Sequence, residues 1–378
     1  MKKIVIAPDS FKESLSAKQV AHEIAAALQS QLPEIEIVQV PMADGGEGTL
    51  AALIDATGGL LHSASVHDPL GDEIVAQWGM LGDGQTAVIE MAAASGLMLI
   101  SPERRNPLLS SSEGTGELIK AALDAGARRF ILALGGSATN DGGSGMLRVL
   151  GVQFYDAEGQ MLAAGGAALS RLARIDVEGL DQRLVQCEFD IACDVNHPLT
   201  GARGASATFG SQKGATPEMV ATLDAALSHY AQIIREQLHQ DVEHLAGAGA
   251  AGGMGAAALA FFRCRLRRGV DIVLEATGLA QHLLDADLVI TGEGRLDGQS
   301  LCGKTPIGVA QLAKQYQLPV IAIVGCVGDG VDQVYEHGID AVFSCVDRPM
   351  SQEEALANAQ SNLRRVALNI AALIKIKS

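Results

Sequence analysis

Several short loops in this 378-residue chain set Asp, Glu and Lys among glycines. The first, Pro8-Asp9-Ser10-Phe11-Lys12, follows the β-branched run Lys3–Ala7. An acid and a lysine at the carboxyl end of a buried strand stand where open α/β sheets bind ligands. Alone, the same turn would better suit an Asp capping a helix. The second, Ala43–Thr49, places Asp44 and Glu47 three residues apart among Gly45, Gly46 and Gly48. Glycines let backbone approach a ligand closely, and two such acids suit Mg²⁺ directly or through water. In the third, Gly135–Gly145, the hydroxyls of Ser137 and Thr139, the Asn140 amide and five glycines have the makings of an anion-binding nest. It leads into a helix-like stretch whose amino end would add its dipole. The fourth opens with Cys193-Asp194-Val195 and runs on to Lys213 and Gly214. Asp194, at a strand end, could act as a base or a metal ligand, and Lys213 could meet a phosphate.

Two further loops match well-known patterns by letter and fail by context. Residues Gly247, Gly249 and Gly252 spell GxGxxG, but a polar helical run ending at Leu245 precedes them where a dinucleotide site needs a strand. A phosphate- or adenine-proximal role for Gly249, Gly252 and Gly253 stays open. Gly298 to Thr305 fits GxxxxGK[ST], yet six residues, Gly292–Asp297, separate it from the strand Ala286–Thr291 that should run straight into it. Lys304 could still touch phosphate. Asp, Glu and Lys in these loops make metal-assisted phosphate chemistry the best account of the set.

The elements that must position these loops read as alternating strands and helices, the pattern of an α/β fold with a mainly parallel sheet. Strands are expected at Lys3–Ala7, Ile35–Val40, Thr86–Met91, Phe130–Leu134, Glu188–Ala192, Ala286–Thr291, Val320–Val324 and Ala341–Cys345. Helices are expected at Ser16–Gln31, Glu113–Ala125, Pro217–Leu245, Pro306–Tyr316 and Ser351–Lys375. Ser16, Thr216 and Thr305 are their candidate N-caps, the last two because a proline follows each at the first helical position.

Composition narrows the partners. Hydrophobic residues make up 48% of the chain, and the length suits two or three domains at about 150 residues each. A formal net charge of −16 argues against nucleic acid and anionic membranes, which require basic patches. The uncharged run Leu245–Phe262 is too rich in Ala and Gly for a membrane span. Cys187, Cys193, Cys264, Cys302, Cys326 and Cys345 form no CxxC and no secreted disulfide framework, so free thiols are expected. With no leader-like stretch at Met1, a cytoplasmic location is expected.

In order along the chain, APDSFKESL (7–15), ADGGEGT (43–49), LGGSATNDGGSGM (134–146), CDV (193–195), GAGAAGGMG (247–255) and DLVITGEGRLDGQS–GK (287–304) resemble the bacterial type I glycerate kinase family. His197 before Pro198, and Ser211 before Gln212, depart from the family pattern. The resemblance implies transfer of the ATP γ-phosphate to D-glycerate, at the 2-hydroxyl, with Mg²⁺. It implies two α/β domains: a Rossmann-like one from residues 1–64 and 285–378, and an inserted one over 65–284, with the active site in the cleft. On that basis Asp194 is expected to be the base and Lys12 its catalytic partner. Asp44 and Glu47 are expected to hold magnesium, with Asp9 and Asp297 in reserve. Ser10, Ser137, Thr139, Asn140, Lys213, Arg295 and Lys304 are expected on substrate or phosphate. Gly135, Gly136, Gly249, Gly252 and Gly253 are expected near the nucleotide. Glycerate is the expected partner, and a homodimer is possible. The alternatives are a kinase for another small hydroxy acid or sugar, and a non-catalytic α/β ligand-binding protein.

Overall fold

The computed structural model describes residues 1–377. Numbered along the chain, the strands are β1 (Lys3–Pro8), β2 (Glu36–Gln39), β3 (Leu60–His67), β4 (Glu73–Met80), β5 (Thr86–Glu90), β6 (Arg129–Ala133), β7 (Gln153–Tyr155) and β8 (Arg174–Asp176). They continue as β9 (Glu188–Ala192), β10 (Cys264–Arg267), β11 (Leu288–Gly292), β12 (Arg295–Leu296), β13 (Val320–Val324), β14 (Cys326–Val327) and β15 (Ala341–Ser344). The chain divides into two compact units, Met1–Gly58 with Arg268–Ser378, and Gly59–Arg267. The division falls at 58/59 and 267/268, not at the expected 64/65 and 284/285. The helices Gly269–Ala276 and Leu279–Leu283 belong with the chain ends because Val270 packs on Gly308 and Gly269 lies under the Asp44 carbonyl.

In the unit formed by the chain ends, five parallel strands run β15-β13-β11-β1-β2. β1 is buried throughout and, after Lys3, apolar, as a strand covered on both faces must be. The chain leaves β1 toward β2 on one side and later fills β11, β13 and β15 on the other, so the β1–β11 pair is the topological switch point. The helix Ala17–Gln31 and the C-terminal helix Ala359–Lys377 share one apolar cluster, built on Ile24 and Leu28 with Leu363 and Ile370. Each such burial contributes about 1.5–3 kcal/mol. Ser16 caps the first helix with Gln19 in a capping box, and Thr216 caps the helix Pro217–Leu238.

The other unit carries a sheet ordered β10-β9-β6-β5-β4-β3. β5, β6, β9 and β10 are parallel, whereas β3–β4 and β4–β5 are antiparallel. The β3–β4 hairpin was not expected. Leu60, Leu61 and Val75 lie exposed and only β4 buries a full face (Ala76, Trp78, Met80), so the strands lack an apolar signature. Phe189 stacks on Phe130 at 4.6 Å and on Phe262 at 4.5 Å between ring centroids, fixing the core behind the sheet.

Three expected helix boundaries move. The helix from Pro217 stops at Leu238, where His239 turns left-handed at φ 57° so that Val242 can enter the core. The C-terminal stretch is two helices, Gln352–Ala357 and Ala359–Lys377, separated at Asn358. The helix expected from Pro306 begins at Thr305, whose hydroxyl makes no cap. The uncharged run Leu245–Phe262 is a loop followed by the helix Met254–Phe261. Among the described residues no helix is long and apolar enough to cross a membrane. The described cysteines are free.

Candidate active site

At the switch point, Pro8 of β1 pairs with Gly292 of β11, and the Asp9 N–H donates to the Gly292 carbonyl at 2.8 Å. The next residues, Asp9 and Glu293, therefore emerge side by side from the carboxyl ends of two adjacent strands. Both are nearly buried, at 8% and 7% exposure. With Ser10, Lys12, Asp44, Arg295 and Lys304 they line a cavity of about 580 Å³. Gly294 and Gly325 line it as well, and a Cβ on Gly325 would lie 2.4 Å from the Gly294 carbonyl oxygen, so glycine there lets the two loops close.

The carboxylates are held in unusual states. The Thr305 hydroxyl donates to Asp9 Oδ2 at 2.6 Å and the Ser10 N–H to Oδ1 at 2.6 Å. Burial, reinforced by the nearby Asp44 carboxylate, outweighs these bonds and pushes the Asp9 carboxyl up to about 6. The Ser300 hydroxyl donates to Glu293 Oε1 at 2.5 Å, and the Lys304 ammonium lies 3.5 Å from Oε2. Burial still raises the Glu293 carboxyl to about 7. Buried like charges facing a cavity are a recurrent mark of function. Glu293 was missed in the sequence, although it follows a buried strand as Asp9 does, and that placement was the available signal.

Among the described residues no three His, Cys, Asp or Glu side chains cluster closely enough to enclose a metal ion by themselves. Mg²⁺ seldom requires that, since it keeps waters and takes one or two carboxylates beside substrate oxygens. Asp9 and Asp44 fit the need: Asp44 lies close enough to raise the Asp9 carboxyl, a repulsion that a cation would relieve. The other two expected ligands are elsewhere. Glu47 is exposed and does not line the cavity. Asp297 accepts from the Gln299 N–H at 2.9 Å as the cap of a short 3₁₀ turn and pairs with Arg295 at 3.0 Å. That 3₁₀ turn, Gly298–Cys302, occupies the P-loop look-alike and follows the two-residue strand β12 of a separate small sheet, so β11 of the main sheet does not run straight into it as a P-loop requires.

In the other unit, the loop after β6 turns mostly inward. Gly135 and Gly136 are exposed, but Ser137, Thr139 and Asn140 are buried. Lys213 is buried too, at 2% exposure, and its ammonium donates to Ser137 Oγ at 2.8 Å and to the Thr139 carbonyl at 2.6 Å. The Asn140 amide donates to Ser206 Oγ at 2.9 Å. Asp141, also unforeseen, accepts from the Ser112 N–H and hydroxyl and from the Gly143 and Gly145 N–H groups. The expected anion cradle is therefore largely an internal network, in which Ser137, the Asn140 amide nitrogen and Asp141 hold protein groups, while the Thr139 hydroxyl and Asn140 Oδ1 are buried without a hydrogen-bond partner.

The glycines at 249, 252 and 253 serve the same packing. A Cβ on Gly249 would lie 2.2 Å from the Pro198 carbonyl oxygen, and one on Gly252 2.0 Å from that of Thr139. Gly253, at φ 96°, lies against Gly142. No strand precedes them. Asp194 is exposed two residues beyond β9.

Comparison with known proteins gives the family and the fold. The model of the glycerate kinase family matches residues 4–375. Glycerate kinase of Haemophilus influenzae is 53% identical over 375 residues, covering 99% of each chain. Glycerate 2-kinase of Escherichia coli is 53% identical over 374 residues, covering 99% of this chain and 98% of its own. A crystal structure from Salmonella typhimurium LT2, assigned to glycerate kinase 2, superposes with a TM-score of 0.92 at 53% identity, covering 100% of this chain and 99% of that one. From residue 4 to residue 375, strand-end acids included, this chain belongs to the glycerate kinase family.

Proposed function

We propose that this protein phosphorylates D-glycerate at the 2-hydroxyl, using ATP with Mg²⁺ and releasing 2-phosphoglycerate and ADP. Family membership and the relative named glycerate 2-kinase support the reaction and the position of transfer. The observation that carries the reading is the switch-point cavity, where Asp9, Asp44 and Glu293 stand beside Lys12, Arg295 and Lys304.

Phosphoryl transfer asks a protein mainly to position two substrates and to neutralise charge. Bound Mg²⁺ would offset phosphate charge and orient its oxygens. Asp9 and Asp44 would hold it, as two neighbouring carboxylates whose repulsion, with burial, outweighs the bonds from Thr305 and Ser10 and the charge of Lys12. Lys12, exposed at the cavity, is free to meet an anionic oxygen, whereas Lys304 must first loosen its 3.5 Å pairing with Glu293. Arg295 is tied to Asp297 and mostly exposed, so it suits the substrate carboxylate at the rim. Ser10 lines the same wall.

For the proton of the glycerate hydroxyl, Asp194 remains the acceptor suggested by the sequence. A second reading is favoured by Glu293, which is buried, lines the cavity and titrates near neutrality, as a general base should. Phosphorus NMR of the product formed from glycerate and ATP tests the overall reading. A 2-phosphate signal is expected; a 3-phosphate signal would overturn the position, and no phosphorylated glycerate would overturn the activity.

A further inference from the structure

We infer that Lys213 is a positioning residue of the glycine loop 135–140, acting through Ser137 and Thr139 and touching neither substrate. This rests on the kinase reading above. A lysine that binds a phosphate must present its ammonium to the ligand, and Lys213 is 2% exposed with two of its three N–H donors engaged inside the protein. The geometry explains why the ammonium is there. The loop leaves β6 and turns at Gly136, φ 70°, and its exposed Gly135–Gly136 backbone continues into a buried segment anchored at separate points. Lys213 holds residues 137 and 139, and Ser206 holds Asn140. The Ala138 N–H donates to the Ser95 carbonyl at 2.9 Å, and the Leu97 N–H to the Gly136 carbonyl at 2.8 Å.

Lys213 itself is fixed by the tight turn Gly210–Gly214. A Cβ on Gly214 would lie 2.9 Å from Arg105 Cβ, and the Arg105 guanidinium donates to the Gln212 carbonyl at 3.4 Å. Burial pushes the lysine down to about 7, with Asp141 opposing the shift. A site tolerates that desolvation only where the two bonds are worth keeping. Lys213 thus fixes where the Gly135–Gly136 amides point.

Lys213→Met keeps the apolar volume and removes the donors. Turnover is expected to fall about 100-fold, as for a misplaced reacting geometry, with KM for ATP and glycerate each within about 3-fold of wild type. Hydrogen exchange at residues 134–140 of the ligand-free protein should rise. Ser137→Ala should lose less, and the double variant should match Lys213→Met alone, because the two share one interaction. A loss confined to KM for one substrate with exchange unchanged would make Lys213 a ligand and overturn the inference. Additive effects would also overturn it. Should Lys213→Met not fold, Lys213→Gln carries the same cycle. If the wild type does not phosphorylate glycerate, the kinase reading fails, while exchange and the same cycle in melting temperature still judge Lys213.

Discussion

The Thr305 hydroxyl donates a 2.6 Å hydrogen bond to Asp9 Oδ2 across a sequence separation of 296 residues. The bond joins the start of one helix to the end of β1 and holds a buried carboxyl in place beside Glu293. Thr305→Val keeps the shape and removes the donor. The helix should persist, since Pro306 still starts it and the hydroxyl caps nothing. An unsatisfied carboxylate oxygen costs about 1–3 kcal/mol, so kcat/KM should fall roughly 5- to 160-fold with unchanged circular dichroism. Unaltered kcat/KM would mean that Asp9 needs no fixing.

Glu293 supplies a pH prediction. Its folded value, about 7, lies above the ordinary 4.5. The folded state therefore holds the proton more tightly, so the stabilising contribution is complete below 4.5 and disappears as pH rises through 7. Glu293→Gln removes that loss. Its stability relative to wild type should rise between pH 4.5 and 7 by on the order of 2–3 kcal/mol, the Lys304 contact being already contained in the folded value. Urea melts at pH 5 and pH 8 check it. A gap that does not widen between those two pH values would contradict the assignment.

Metal dependence separates Asp44 from Glu47. Asp44→Asn should raise the Mg²⁺ concentration for half-maximal rate by tenfold or more, the scale of one lost charge-assisted contact of about 1.4 kcal/mol or above. Glu47→Gln should shift it by less than about twofold, since exposed charges outside a site contribute little. Magnesium titrations of both variants decide it: a comparable tenfold shift in both would restore the pair suggested by the sequence, and the reverse order would remove Asp44 from the metal site.

Asp194→Asn, measured at saturating substrates, separates the two readings of the proton acceptor. If Asp194 is the base, kcat should fall by about 10²–10⁴. Near-wild-type kcat, together with a loss of that size in Glu293→Gln, would move the role to Glu293. An effect on magnesium affinity alone would make Asp194 a ligand.

Much of the fold was legible because parallel strands buried on both faces must be continuously apolar. Runs such as Lys3–Ala7 and Val320–Val324 announced themselves, and Asp9 just past the first was read with it, whereas Glu293 past β11 was not. The β3–β4 hairpin was not legible, because with Leu60, Leu61 and Val75 in solvent the rule linking apolar residues to strands has nothing to act on. Helix ends were legible where a local cap set them, as at Ser16, and not where the tertiary packing of Val242 stopped a helix early.

The sequence by itself determined which chemistry was available, since strand-end Asp, Glu and Lys among glycines are a matter of residue type and order. Only the tertiary structure decided which of them meet. Lys213 and Lys12 are alike as letters, yet one is buried against Ser137 and the other lines the switch-point cavity. Thr305 reads as a helix cap until β1 and β11 bring Asp9 to it. The reason is physical. Burial and long-range proximity set a charge's desolvation and its partners, and both are properties of the packed chain, which local spacing does not encode.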